Sequence, residues 1–295
     1  MNFSGGEIFL YKELKEILEY SKSLGFKVVV NTNGTINIFD YISYIDEIIF
    51  SVHGLESLHN DIVHNINSFK SLVDNIIIAN DYNVPVEINM TLIKKNFFNI
   101  LDVYNYFNSR YKIWKFSPTI AIKVKKDDLI KNDDLIEVNK ENLNYYFSVL
   151  DKISKEQLDL KEGLHSIYYN DNQLYENTNI SDSPFCIGGK TKIIVSYNGD
   201  VYPCNFFQTE DYYCGNLLYG DIDFIWKEGK GFNIFRNMVL DEKVKSKCHS
   251  CKKYFKCFSG CRAWTNAYLN SKGKKEIFEN ESDFRCEIAN AFIGT

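Results

Sequence analysis

Phe26-Lys-Val-Val-Val-Asn-Thr-Asn-Gly34 and Glu47-Ile-Ile-Phe-Ser-Val52 are two short apolar runs, each leading into small polar residues. Runs of this kind are what a parallel strand buried on both faces shows. Between them, residues 39–45 carry enough apolar side chains for a short helix. Toward the N-terminus, Met1-Asn-Phe-Ser-Gly-Gly-Glu7 reads as a short strand closed by a glycine pair. Leu10, Leu14, Ile17 and Leu18 then mark a helix that Gly25 stops. Downstream, a helix over 68–80 precedes a strand over 85–93, and a helix over 96–111 precedes a strand over 112–118. Strands alternating with helices at this spacing predict a parallel α/β sheet or barrel.

Residues 119–183 break that rhythm: a charged stretch leads to a helical pattern over 139–155 and then to an Asn-rich segment ending at Pro184. They read as barrel completion and linker. The whole chain has 295 residues, 45% of them hydrophobic, and a net charge of −5 with Lys and Glu scattered along it. That length and content describe one large or two modest globular domains. Without a basic patch there is no footprint for nucleic acid, and no apolar run approaches the roughly 20 residues that span a bilayer. Cytoplasm is the default compartment.

All eight cysteines lie between Cys186 and Cys286, and none precedes them. They read Cys186-x12-Gly199-x4-Cys204, then Cys214, then Cys248-x2-Cys251-x5-Cys257-x3-Cys261, and last Cys286. Spacers as short as those over 248–261 force four sulfurs into one small volume, where thiols hold metal. A disulfide framework is the poorer reading, since no signal peptide opens the chain and its length buries a core without staples. Spacing alone leaves zinc and iron–sulfur open, because eight thiols make two tetrahedral zinc sites or two cubane clusters equally well. Asn198-Gly199, between apolar residues 193–195 and 201–202, is independently a tight hairpin signal.

The seven-cysteine run with its internal Gly199, over residues 184–289, resembles the SPASM domain of radical S-adenosylmethionine (SAM) enzymes. Ser4-Gly5-Gly6-Glu7, Thr32-Asn33-Gly34 and Ser51-Val52-His53-Gly54 all fall at carboxyl ends of expected strands, where α/β sheets bind ligands. Singly each is a turn signal. In this order they resemble the radical SAM core, which implies that Gly5, Gly6 and Glu7 hold the methionyl amine of SAM. By the same resemblance Thr32 and Asn33 line the pocket and Ser51 reaches the SAM carboxylate. Ile8 stands where the family usually has proline, and His53 where it often has an acidic residue. His53, His59 and His64 have no helical spacing in common and read as exposed loop histidines rather than metal ligands, and His249 reads as a residue near a cluster rather than on it.

The resemblance implies a partial parallel (β/α)6 barrel lacking its first βα unit over 1–125, barrel completion and linker over 126–183, and a SPASM domain over 184–295. It implies two auxiliary 4Fe–4S clusters: Cys248, Cys251, Cys257 and Cys286 on the outer one, Cys186, Cys204 and Cys261 on the inner one. The fourth inner position is either Cys214 or left open to a substrate thiol. It also implies a peptide- or protein-modifying maturase that oxidises or cross-links its substrate through a 5'-deoxyadenosyl radical, fed by a donor such as flavodoxin or ferredoxin. One departure stands out. The family's Cys-x3-Cys-x2-Cys loop, which binds the third 4Fe–4S cluster and cleaves SAM, has no counterpart here. The expectation is therefore a truncated chain that is inactive alone. The alternatives are a non-catalytic zinc- or iron–sulfur-binding regulatory protein, or a half-enzyme complemented in trans.

Overall fold

A computed structural model describes residues 1–122, 132–154, 156–158, 187–237 and 260–271, together with Asp283 and Arg285. The chain divides into two compact units, one of residues 1–121 and 132–161 and one of 122–131 and 162–295.

The first unit is built on five parallel strands in sequential order: β1 (Asn2–Phe3), β2 (Val29–Thr32), β3 (Glu47–Ser51), β4 (Val86–Leu92) and β5 (Ile113–Ile120). The connecting helices are α1 (Leu14–Ser23), α2 (Glu56–Val63), α3 (Ser68–Asp81) and α4 (Ile100–Arg110), with α5 (Lys140–Leu150) following the sheet. After α5 the chain returns to the far edge, where Leu158 bridges Phe116 in parallel and the Phe116 amide donates to the Gln157 carbonyl. A further parallel position thus begins beside β5.

Alternation along the strands separates two faces. Val30, Ile48, Phe50, Val86, Ile88 and Phe116 are fully buried, and with Leu14, Leu18, Leu72, Ile76, Val103 and Phe107 of the helices they make the hydrophobic layer. Each such side chain contributes roughly 1.5–3 kcal/mol when removed from water. The intervening positions include Asn31, Ser51, Asn89, Thr91, Ser117 and Thr119. Val29 and buried Ile49 share that face, so β2 and β3 carry apolar side chains on both faces as expected, whereas on β4 and β5 the face is polar and even carries the buried carboxylate of Glu87.

Two other expectations change. Residues 39–45 form only a 3-10 turn, Ile42–Tyr44, because seven residues give too few hydrogen bonds to offset helix nucleation. Conversely α2, which the sequence reading left as loop, is a two-turn helix, and His59 on it is buried.

In the second unit β6 (Ile194–Val195), β7 (Asp200–Tyr202) and β8 (Gly215–Asn216) form an antiparallel sheet. The β6–β7 hairpin turns at Gly199, whose φ is +85°. A side chain there would meet the Asn216 Oδ1 at 2.9 Å and Leu218 Cγ at 3.0 Å, so conformation and space both require glycine. Helices α6 (Ile222–Glu228), α7 (Lys230–Asn237) and α8 (Arg262–Ser271) follow. Among the described residues no helix is long and apolar enough to cross a membrane.

Candidate functional site

The first site forms where β1 and β2 end. Glu7 caps the 3-10 turn Ile8–Leu10, its Oε1 accepting from the Phe9 amide at 3.2 Å. The Thr32 hydroxyl lies 2.9 Å from both Glu7 oxygens, and the Asn33 amide donates to Oε2 at 2.9 Å. The Thr32 oxygen in turn accepts from the Gly34 amide at 3.0 Å, while Asn33 Oδ1 accepts from the Thr35 amide and hydroxyl. Glu7, Thr32 and Asn33 are thus one hydrogen-bonded group, and the carboxylate is fixed in place by neutral donors rather than by a cation. Gly5 and Gly6 precede it on exposed backbone, with open space where side chains would stand. Ser51 ends β3, the neighbouring strand, one residue beyond the Thr32–Phe50 pairing. A carboxylate, a bare backbone turn and strand-end hydroxyl and amide groups suit a zwitterion with an ammonium and a carboxylate of its own.

Helices hold the strand-end turns from below, and none of these fasteners was apparent in the sequence. Buried Asn75 on α3 accepts from the Ile38 amide at 3.1 Å and donates to the Gly34 and Ile36 carbonyls at 2.9 and 2.8 Å, pinning the turn after β2. Beyond β3, the His53 amide donates to His59 Nδ1 at 3.2 Å and its carbonyl accepts from Asn96 Nδ2 at 3.0 Å. Since His59 Nδ1 accepts, its proton sits on Nε2, which donates to the Ser68 hydroxyl at 3.1 Å. Burial, with the neighbouring His53 adding to it, pushes His59 down to about 4; burial also lowers His53, against a hydrogen bond with the Thr91 backbone. Both ring nitrogens of His59 are therefore engaged, and it has none to offer a metal.

In the second unit Cys204 and Cys261 are half-buried and pack against one apolar cluster, Phe207, Phe235, Ala263 and Leu269. Cys214 belongs to a different cluster, with Val201, Ile225 and Phe232. Its thiol donates to the Tyr212 carbonyl, and burial pushes it up to about 11 although backbone hydrogen bonds from Phe232 and Gly231 work the other way. A Cβ on Gly231 would stand 2.8 Å from the Cys214 sulfur. The Cys261 amide donates to Asp283 Oδ2 at 3.2 Å, and Asp283 takes Arg285 Nη2 and Nε at 2.7 and 3.0 Å. Both partners are almost wholly buried, and the guanidinium lies 4.1 Å from the Trp264 ring centroid. This pair ties Cys261 to the segment immediately before Cys286. Cys186, Cys248, Cys251, Cys257 and Cys286, with His249, lie outside the described residues. Among the described residues no three metal-ligating side chains come together.

A parallel α/β unit with a hydrogen-bonded carboxylate at its strand ends, followed by a cysteine-bearing unit, is the class that fold and site define. Comparison with known proteins agrees. Residues 1–106 match the radical SAM superfamily, and residues 186–252 match the SPASM iron–sulfur cluster-binding domain. The chain thus carries a radical SAM match at its N-terminal side and a SPASM match further along. Among its relatives, the AdoMet-dependent heme synthase of Nitratidesulfovibrio vulgaris is 23% identical over 282 residues, covering 88% of this chain and 73% of the relative. The cysteine-type anaerobic sulfatase-maturating enzyme of Clostridium novyi is 26% identical over 285 residues, covering 88% and 72%. Two solved structures share the fold. One is anSMEcpe with bound AdoMet and Cp18Cys peptide, with a TM-score of 0.71 at 16% identity over 99% of this chain and 82% of that one. The other is Streptococcus suis SuiB, with 0.72 at 19% over 96% and 65%.

Proposed function

We propose that this chain is the SAM-binding and auxiliary-cluster portion of a peptide- or protein-modifying maturase. The observation that carries the reading is the hydrogen-bonded Glu7–Thr32–Asn33 group at the strand ends, one strand from Ser51, at residues matching the radical SAM family. In this reading Glu7 and the Gly5–Gly6 backbone accept hydrogen bonds from the methionyl ammonium, Ser51 donates to the carboxylate, and Thr32 and Asn33 hold Glu7 in line. When bound with a cluster, SAM supplies a 5'-deoxyadenosyl radical that abstracts hydrogen from the substrate.

Cys248, Cys251, Cys257 and Cys286 hold the outer auxiliary 4Fe–4S cluster, and Cys186, Cys204 and Cys261 the inner one. The shared packing of Cys204 and Cys261 supports placing them together, whereas the burial and separate packing of Cys214 favour leaving it out of the ligand set. The inner cluster then keeps a position for a substrate thiol. A peptide substrate is favoured because two fold neighbours bind peptides, Cp18Cys in anSMEcpe and the precursor SuiA in SuiB. The heme synthases among the relatives give the second reading, a non-peptide substrate for the same SAM chemistry.

Residues 1–185 contain no thiolate, so nothing in the first unit holds the cluster that cleaves SAM. That cluster needs a Cys-x3-Cys-x2-Cys segment from sequence outside these residues or from a second chain, and with it an electron donor such as flavodoxin or ferredoxin. The test is chromatographic detection of 5'-deoxyadenosine after the reconstituted chain is incubated with SAM and dithionite. No product above a protein-free blank is expected, with product appearing once such a segment is supplied. Turnover by the chain alone would mean that one of its eight cysteine positions serves a catalytic cluster.

A further inference from the structure

The pocket's turns are not self-supporting. Pairing along β3 continues through Val52, whose amide donates to the Asn89 carbonyl at 2.9 Å. His53 is where the chain leaves the ladder, and its amide would be without a strand partner. His59 Nδ1 takes that amide. Asn96 takes the His53 carbonyl and also donates to the Thr91 carbonyl at 3.0 Å, so the turn after β3 is fastened to the end of β4 as well. Through Nε2 and Ser68, His59 is bonded to the first residue of α3. That same helix carries Asn75, which pins the turn after β2. One helix therefore braces both turns, and His59 is the link on the β3 side.

We propose that His59 is a positioning residue for the SAM pocket, setting the direction in which residues 51–54 leave β3 and so the placement of Ser51 and His53 toward bound ligand. The proposal rests on the SAM-binding reading above. A packing role alone is the competing account, because the His59 ring also contacts Phe69 and stacks with His53, at centroid distances of 5.8 and 5.7 Å. The two accounts separate on whether an apolar side chain of similar size can replace the imidazole. If packing is all that matters, leucine serves. If the acceptor matters, leucine leaves the His53 amide to find another partner by moving the turn, since a buried amide without a partner costs about 1–3 kcal/mol.

The experiment is calorimetric titration of SAM into the anaerobically reconstituted full chain as wild type, His59→Leu and His59→Asn, with thermal melts of each. Asparagine places its Oδ1 near the position of Nδ1 and keeps the acceptor. His59→Leu should weaken SAM binding roughly tenfold, and His59→Asn should restore it to within about threefold even though both variants melt lower than wild type. Affinities that follow melting temperature in both variants, or His59→Leu binding as tightly as wild type, would overturn the proposal alone. A wild-type chain that binds no SAM would overturn the pocket reading and this proposal with it. Should His59→Leu fail to fold, Ser68→Ala carries the test by removing the partner that orients the ring. A several-fold loss of SAM affinity is then expected, and unchanged affinity contradicts the link through α3.

Discussion

In the first unit, five parallel strands bury a continuous layer from Val30 to Phe116 against helices, and polar side chains such as Asn75, His59 and Asn96 are spent on fastening turns. In the described part of the second unit, the apolar core comes in two clusters of four buried residues, and a buried Asp283–Arg285 pair holds one cysteine's backbone. The difference lies in what supplies cohesion. A sheet covered by helices stabilises itself by removing apolar area from water, whereas short strands around small clusters depend on cross-links, and thiolates on metal provide them.

Stripping metal is the harshest way to break that contrast. Chelation under anaerobic conditions should remove on the order of 10 kcal/mol from the second unit while the parallel sheet stays folded. Limited proteolysis should then leave a resistant N-terminal fragment, and simultaneous loss of both units would erase the distinction. Next in size is Asp283→Ala, which takes from the buried Arg285 guanidinium the carboxylate two of its nitrogens share. A loss of about 3–5 kcal/mol is expected, read as a lower melting transition confined to the second unit.

Acid should act on the first unit instead. His59 is held at about 4 in the folded chain, below the roughly 6.5 of an unfolded histidine. The unfolded state therefore binds the proton more tightly, and stability is complete above pH 6.5 and declines as pH falls toward 4. The loss is on the order of 3 kcal/mol. His59→Asn, which does not titrate, should flatten that limb of the stability curve in the first unit.

Much of this was legible in the sequence because its signals are local. Residues 47–52 and 85–93 became β3 and β4 since their apolar content survives any neighbour, and Asn198-Gly199 became a hairpin because only a left-handed turn fits there. The strand-end motifs could be placed because strand ends follow from strands. What could not be read depends on partners far along the chain. Asn75 lies in the middle of a helix, where asparagine ordinarily marks a solvated face, and its burial follows only from the turn over residues 34–38 packing on it. His59 reads as a loop histidine until α2 forms, and α2 is short and weakly apolar. The polar face of β4 and β5 was hidden because Asn89 and Ser117 sit singly among apolar residues. Asp283 and Arg285, two positions apart, match no motif, and their pairing is set by Cys261 and Trp264 from another segment.

In the proposed assignment the cysteines of the second unit hold two 4Fe–4S clusters and the first unit holds none. Iron and sulfide analysis of anaerobically reconstituted protein tests it most directly, using wild type, Cys286→Ala and Cys214→Ala side by side. Roughly eight irons and eight sulfides are expected per wild-type chain, about half that number after Cys286→Ala, and no change after Cys214→Ala. Stoichiometric zinc in a colourless protein, or a loss of iron after Cys214→Ala equal to that after Cys286→Ala, would contradict it.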